Sequence, residues 1–234
     1  MRRFVSSCAV ATALLAGVAT STASADIVFQ NTFNNGYFTP FNSSNANTLK
    51  YGDSGYLSGS SANPSQTLTS ITLGLAVYNS TTAGTTDIKF TFNDGDPSGL
   101  VFGPGTALYS TTITNVALPA SGANLGAFFA ITIPLPNVVT SGGFNNIGWS
   151  VGLANYNYAG SFGFECSTGT GQSVGFYNPN ASFYNGTSWS LFAFGSGDTG
   201  QANFVATVTN NVPAPSSVAL LGLGLLGASR RRRS

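Results

Sequence analysis

Side chains alternate with a period of two through most of this chain, and that pattern limits the fold more than any other feature. From Thr69 to Val77, Ile71, Leu73, Leu75 and Val77 fall on one side and Thr72, Gly74 and Ala76 on the other. Ile88, Phe90 and Phe92 alternate with Asp87, Lys89 and Thr91, as in a strand with one face in a core and one in water. The pattern returns at Phe129-Ile131-Ile133, Ile147-Trp149-Val151-Leu153, Phe162-Phe164-Cys166 and Trp189-Leu191-Ala193, and Phe204 to Val208 forms a closing strand. Between these runs stand clusters such as NDGDPSG, LPASGAN, TSGGFNN and STGTGQ, which supply turn chemistry. No stretch between the termini carries a convincing helical period.

Many strands at short spacing predict an all-β domain: an antiparallel β-sandwich, jelly-roll-like. A parallel β-helix would need a fixed sequence repeat, and none is present. Residues 31 to 66, rich in Asn and Ser, are expected to be long loops with short strands.

The two ends differ from this middle. Arg2 and Arg3, the apolar run Val10 to Val18 and the small-x-small site Ala23-Ser24-Ala25 have the order of a secretory signal peptide over residues 1–25, cleaved after Ala25. The run is too short to span a bilayer, which takes roughly 20 residues. Cleavage would remove Cys8 and leave Cys166 alone, so no internal disulfide supports the fold. Residues 26–211 would form the sandwich, long enough to bury a core without one. Residues 212–234 form a separate tail with a short hydrophobic helix.

Composition excludes several classes of function. Only 6% of residues are charged, and in the middle Lys50 and Lys89 stand against all seven acids. With no arginine there, the domain cannot neutralise a phosphate backbone, so nucleic acid is not a partner. The sequence has no histidine, which removes Ser-His-Asp and Cys-His nucleophile systems and the usual zinc sites. Cys166 alternates with Phe162 and Phe164 as a buried apolar residue would. Glu165 is the chain's only glutamate, on the opposite face, where an exposed strand residue is expected. Together these point away from an enzyme.

Two constellations could bind something. Asn93-Asp94-Gly95-Asp96 places carboxylates two residues apart in a Gly-containing turn, so Asp94 and Asp96 are candidate calcium ligands. The same residues also make an ordinary solvated turn. The chain has 18 Phe, nine Tyr and two Trp. Most of the Phe must be core, whereas Tyr156, Tyr158, Tyr177 and Tyr184, each next to an Asn, are candidate sugar-stacking rings.

The tail has three parts in order. Val212-Pro213-Ala214-Pro215-Ser216-Ser217 cannot continue a helix through its prolines. Val218 to Ala228 is apolar but only 11 residues, about 16 Å of helix against roughly 30 Å of hydrocarbon. Arg230, Arg231, Arg232 and Arg233 then hold the terminus on the cytoplasmic side and leave the domain outside. A marginal span behind an extended segment suits a tail that is held briefly in the membrane and then cut.

This architecture resembles the PEP-CTERM sorting signal of exported bacterial proteins, over Pro213 to Ser234. The motif residues are Pro213, Ala214 and Pro215, with Ala214 where the family has a glutamate. The resemblance implies handling by the export machinery and by an exosortase-like processing protease. It also implies a cell-surface or extracellular destination after transient membrane anchoring. Phe92 to Ser110 (FNDGDPSGLVFGPGTALYS) resembles a strand–turn–strand segment of secreted sandwich proteins with such tails. The expectation is an exported surface or matrix protein without catalytic activity or required cofactor. The alternative is a carbohydrate-binding module with calcium-supported loops, whose partner is extracellular polysaccharide.

Overall fold

The alternating runs become strands. The computed structural model describes residues 24–32, 36–58, 65–101, 104–141, 146–167, 172–178, 180–192 and 203–212. Those residues hold no helix. In chain order the strands are β1 (Ser24–Asn31), β2 (Phe38–Phe41), β3 (Lys50–Tyr56), β4 (Thr67–Ser80) and β5 (Gly84–Asp94). They continue with β6 (Thr106–Leu118), β7 (Gly122–Val139), β8 (Asn146–Asn157), β9 (Ser161–Ser167) and β10 (Gln172–Val174). The last five are β11 (Phe176–Tyr177), β12 (Ala181–Tyr184), β13 (Trp189–Phe192), β14 (Asn203–Phe204) and β15 (Ala206–Val212).

They form two antiparallel sheets, an eight-stranded one in the order β10-β1-β15-β4-β9-β14 and a seven-stranded one in the order β13-β12-β3-β8-β5-β6. In the first, β7 pairs β4 and β2 pairs β9; in the second, β11 pairs β3. The chain crosses between sheets from β2 to β3, β3 to β4, β4 to β5, β6 to β7, β7 to β8, β8 to β9, β10 to β11 and β13 to β14, a jelly-roll-like winding. Ala25–Val212 is one compact unit. Its core side chains, from Val28 to Val208, all lie inside that span, so the unit owns a complete core and can fold alone.

The core is made by the inward stripes. Ile71, Leu73, Leu75 and Val77 of β4 face Ile88, Phe90 and Phe92 of β5 and Ile147, Trp149, Val151 and Leu153 of β8, all buried. Each such side chain contributes about 1.5–3 kcal/mol on burial. Phe29 meets Trp149 edge-on at 5.7 Å and 77°, and Phe41 meets Tyr51 at 4.8 Å and 75°, the geometry aromatic quadrupoles favour.

Three local expectations change. Asp87, assigned to the wet face of β5, is covered, because its carboxylate accepts Asn115 N (2.8 Å) and Asn155 Nδ2 (2.6 Å). Leu191 is 41% exposed despite its apolar stripe, since β13 is the end strand of its sheet. The closing strand is broken at Val205. β4 pairs β9 over Leu75–Tyr78 and β15 over Leu68–Leu73, so β4 and β9 splay into a fork. Val205 sits in its crotch, donating N–H to the Glu165 carbonyl (3.0 Å) and accepting from Gly74 N (2.9 Å).

The loop after β5 lies against the second sheet and leaves no room for side chains beneath it. A Cβ on Gly52 would come within 2.9 Å of Pro97 Cγ, and one on Gly148 within 2.8 Å of Pro97 Cδ and 2.1 Å of the Gly95 carbonyl oxygen. Gly148→Ala must therefore displace backbone, an overpacking that costs roughly 1–3 kcal/mol or more. Thermal melts of residues 25–212 should show a midpoint lower by about 5 °C or more. Gly126→Ala is the control. Its Cβ meets nothing closer than 3.5 Å, and the midpoint should stay within about 2 °C. Equal midpoints for the two variants would contradict the packing described.

Candidate functional site

The Asp94–Asp96 turn is built as a loop organiser. β5 ends at Asp94, and Gly95 turns the chain at φ +111°, a conformation that suits glycine. The Asp96 carboxylate accepts Ser98 N (2.9 Å), Ser98 Oγ (2.8 and 2.7 Å) and Val101 N (2.8 Å), while its carbonyl accepts Gly105 N (2.8 Å). Asp94 Oδ2 accepts Ser141 Oγ at 2.7 Å. Both carboxylates thus take protein donors. Among the described residues, no group of three or more His, Cys, Asp or Glu side chains is placed to hold a metal ion.

A second carboxylate has a less expected place. Asp53 of β3 points into the sandwich and is 1% exposed. It accepts Phe204 N (2.9 Å), Ser54 N (2.8 Å) and Asn203 Nδ2 (3.4 Å). Asn203 Nδ2 also donates to the Asn178 carbonyl, and Asn178 Nδ2 to Ser54 Oγ. The Tyr177 hydroxyl donates to the Phe204 carbonyl. Burial holds the Asp53 carboxyl well above the usual carboxylate range, against the pull of its three donors. Asp87 shows the opposite case. The Asn115 N–H, then the Asn155 amide, hold its carboxyl below its ordinary value.

The four tyrosines do not converge. Tyr158 is buried with its hydroxyl on the Pro119 carbonyl (2.9 Å), and Tyr156 donates to the Gly160 carbonyl (2.8 Å). Tyr177 packs edge-on against Phe29 at 4.8 Å and lies 6.1 Å from Trp149. Tyr184 stands elsewhere, 5.5 Å from Trp189, with Lys50 Nζ 5.5 Å from its ring centroid. Cys166 is fully buried, and burial first, then the charge of Asp53, pushes its thiol up. That is an unreactive thiol.

Other aromatic rings do face water. On the outer face of the eight-stranded sheet, Tyr37 is 64%, Phe128 52% and Tyr78 38% exposed. Alternation alone carries a signal for Phe128. Alternation places Phe129, Ile131 and Ile133 inward, which leaves a phenylalanine on the outer row. Asp53 had no such signal, since nothing in KYGDSGY separates a buried carboxylate from a wet one.

Ala23, the Pro213-Ala214-Pro215 motif and Arg230 to Arg233 lie outside the described residues, as does the hydrophobic stretch of the tail. Ala25 is exposed at the start of β1. Among the described residues no helix is long and apolar enough to cross a membrane. Residues 211–233 match the PEP-CTERM protein-sorting motif. No curated protein matches the chain. Two solved structures are similar over most of its length. One is the T13 IBDV viral particle, at 12% identity, 83% of this chain, 41% of that chain and a TM-score of 0.25. The other is infectious bursal disease virus Gx strain, at 14% identity, 85% and 44% coverage and a TM-score of 0.24. The chain spans less than half the length of either.

Asp53 makes stability depend on pH in a defined direction. The folded state holds its proton more tightly than the unfolded chain does. Its stabilising contribution is therefore complete below about pH 4 and is lost as pH rises through the folded pKa. Asp53→Asn has no such proton to lose. Melts of both proteins from about pH 4 to about pH 8 should show the native midpoint falling relative to the variant. A midpoint difference that stays constant across this window would contradict the burial of an ionisable Asp53.

Proposed function

We propose that this protein, which carries a PEP-CTERM motif and is thereby marked for exosortase-type sorting as an exported chain, ends as a non-catalytic component of the cell surface or extracellular matrix. The observation that carries the reading is the motif match over residues 211–233. It covers the prolines, the short apolar stretch and the arginines in the order a sorted tail requires. β15 runs to Val212, so the matched motif begins within the last two residues of the last strand.

The chemistry of the domain supports a role without catalysis. General acid–base work on glycosides needs two carboxylates flanking one bond. Here Asp53 is enclosed in the core, and Asp87 and Asp96 are committed to local donors. With no histidine in the sequence, the commonest activating base for a Ser or Cys nucleophile is missing.

The arginines set the direction of the tail, so Arg230–Arg233→Gln should break the sequence of holding and cutting. In a host with a matching exosortase, the variant should appear in the medium or keep its full C-terminal mass. The native chain should be surface-associated and shortened at that end. Localisation and C-terminal mass identical in the two proteins would overturn the reading.

A further inference from the structure

The outer face of the eight-stranded sheet carries a trough with the composition of a sugar-binding site. Its floor is the outward row of β4, Thr72, Gly74, Ala76 and Tyr78, about 20 Å long at the rise of a strand. Register places Ala130 beside Gly74 and Phe128 beside Ala76 on one flank, and Gly163 beside Ala76 on the other. Small residues thus occupy the middle and large rings stand at the borders. The Phe38 and Tyr78 rings are 6.1 Å apart, and Phe128 rises opposite. The trough holds two adjoining hollows of about 350 and 420 Å³ that share Phe128. Both lie within the size range of small-molecule sites.

Its polar groups are few and localised. The Glu165 carboxylate lies so close over Gly74 that a Cβ there would meet Oε2 at 2.6 Å. Glycine at 74 therefore admits the carboxylate to the floor. Thr72 and Thr132 Oγ1 pair at 2.8 Å across the strands, and Thr207 lines the same hollow. Exposed ring faces take the C–H face of a pyranose, while a carboxylate and threonine hydroxyls take its hydroxyls. An apolar concavity with a few placed polar groups is the usual form of a ligand site. Charge decides between glycans. Glu165 sits in the trough of a domain where two lysines stand against seven acids, which repels uronate and favours uncharged sugar.

We propose that this trough binds a neutral polysaccharide chain, with Phe128 and Tyr78 as stacking rings and Glu165 as a hydroxyl acceptor. The proposal stands apart from the sorting reading, because its test uses residues 25–212 without the tail.

The experiment is native affinity electrophoresis of residues 25–212 through gels containing mixed-linkage β-glucan, xylan, mannan or alginate. At least one neutral glycan should retard the domain, and alginate should not. Phe128→Ala, at an exposed position shared by both hollows, should weaken that retardation at least tenfold, as loss of an aromatic anchor does. Tyr184→Ala, away from the trough, should leave it unchanged. The proposal is overturned if no neutral glycan retards the domain, if alginate retards it equally, or if Phe128→Ala binds like the native domain. Equal loss in Tyr184→Ala overturns it as well. A dimer dissolved by Phe128→Ala without glycan retardation would give the face to a second copy and overturn it too.

Discussion

The backbone N–H and C=O of Phe204 are the point on which the sandwich closes. Segment 203–212 must enter between β4 and β9 where they separate, so its backbone passes from one partner to the other inside the fold. A buried backbone N–H or C=O without a partner costs free energy comparable to a lost hydrogen bond. Side chains from the opposite sheet meet both groups, Asp53 at the N–H and the Tyr177 hydroxyl at the carbonyl. The Phe204 ring then packs 4.7 Å from Phe164. Closure is thus polar as well as apolar, and it requires a carboxylate in the core.

The same closure explains how a chain with so little charge and no disulfide among the described cysteines holds a defined shape. Trp149, opposite Asp53 in the register of β3 and β8, fills the space beside this network, with Phe29 and Tyr177 around it. Glycine does complementary work where backbones or polar heads must approach closely. Gly148 lets the β5–β6 loop lie on β8, and Gly74 admits the Glu165 carboxylate to the outer face. The 29 glycines of the sequence therefore include positions set by contact, and these bring the acidic loop and the outer trough into being.

Much of this was legible in the residues. β4, β5, β8 and β9 announce themselves because one face of each is buried along its length, so alternation in sequence and burial in space coincide. β3 is broken by Gly52 and Gly55, and β10 to β12 are only two to four residues long, so their pairing is set by tertiary contacts that no local pattern encodes. The tyrosines show another limit. A ring beside Asn looks exposed in sequence, yet Tyr158 and Tyr177 are drawn inward by carbonyls for their hydroxyls. Phe128 shows the reverse, an apolar residue left outside by the register of its neighbours. The tail was legible because its signal is linear, whereas the trough exists only after five strands, β2, β4, β7, β9 and β15, are aligned.

Fold and sorting meet at β15. It lies between β1 and β4, so the strand that leads into the sorting motif is bonded along both edges, and Asp53 and Tyr177 secure the segment just before it. Amide hydrogen exchange of residues 25–212 tests this most directly. The Phe204 N–H should exchange only through global unfolding, with the protection of core amides in β4 and β8. Exchange of Phe204 at the rate of the end strands β6 or β13 would show that the closing segment opens on its own, and would contradict the account.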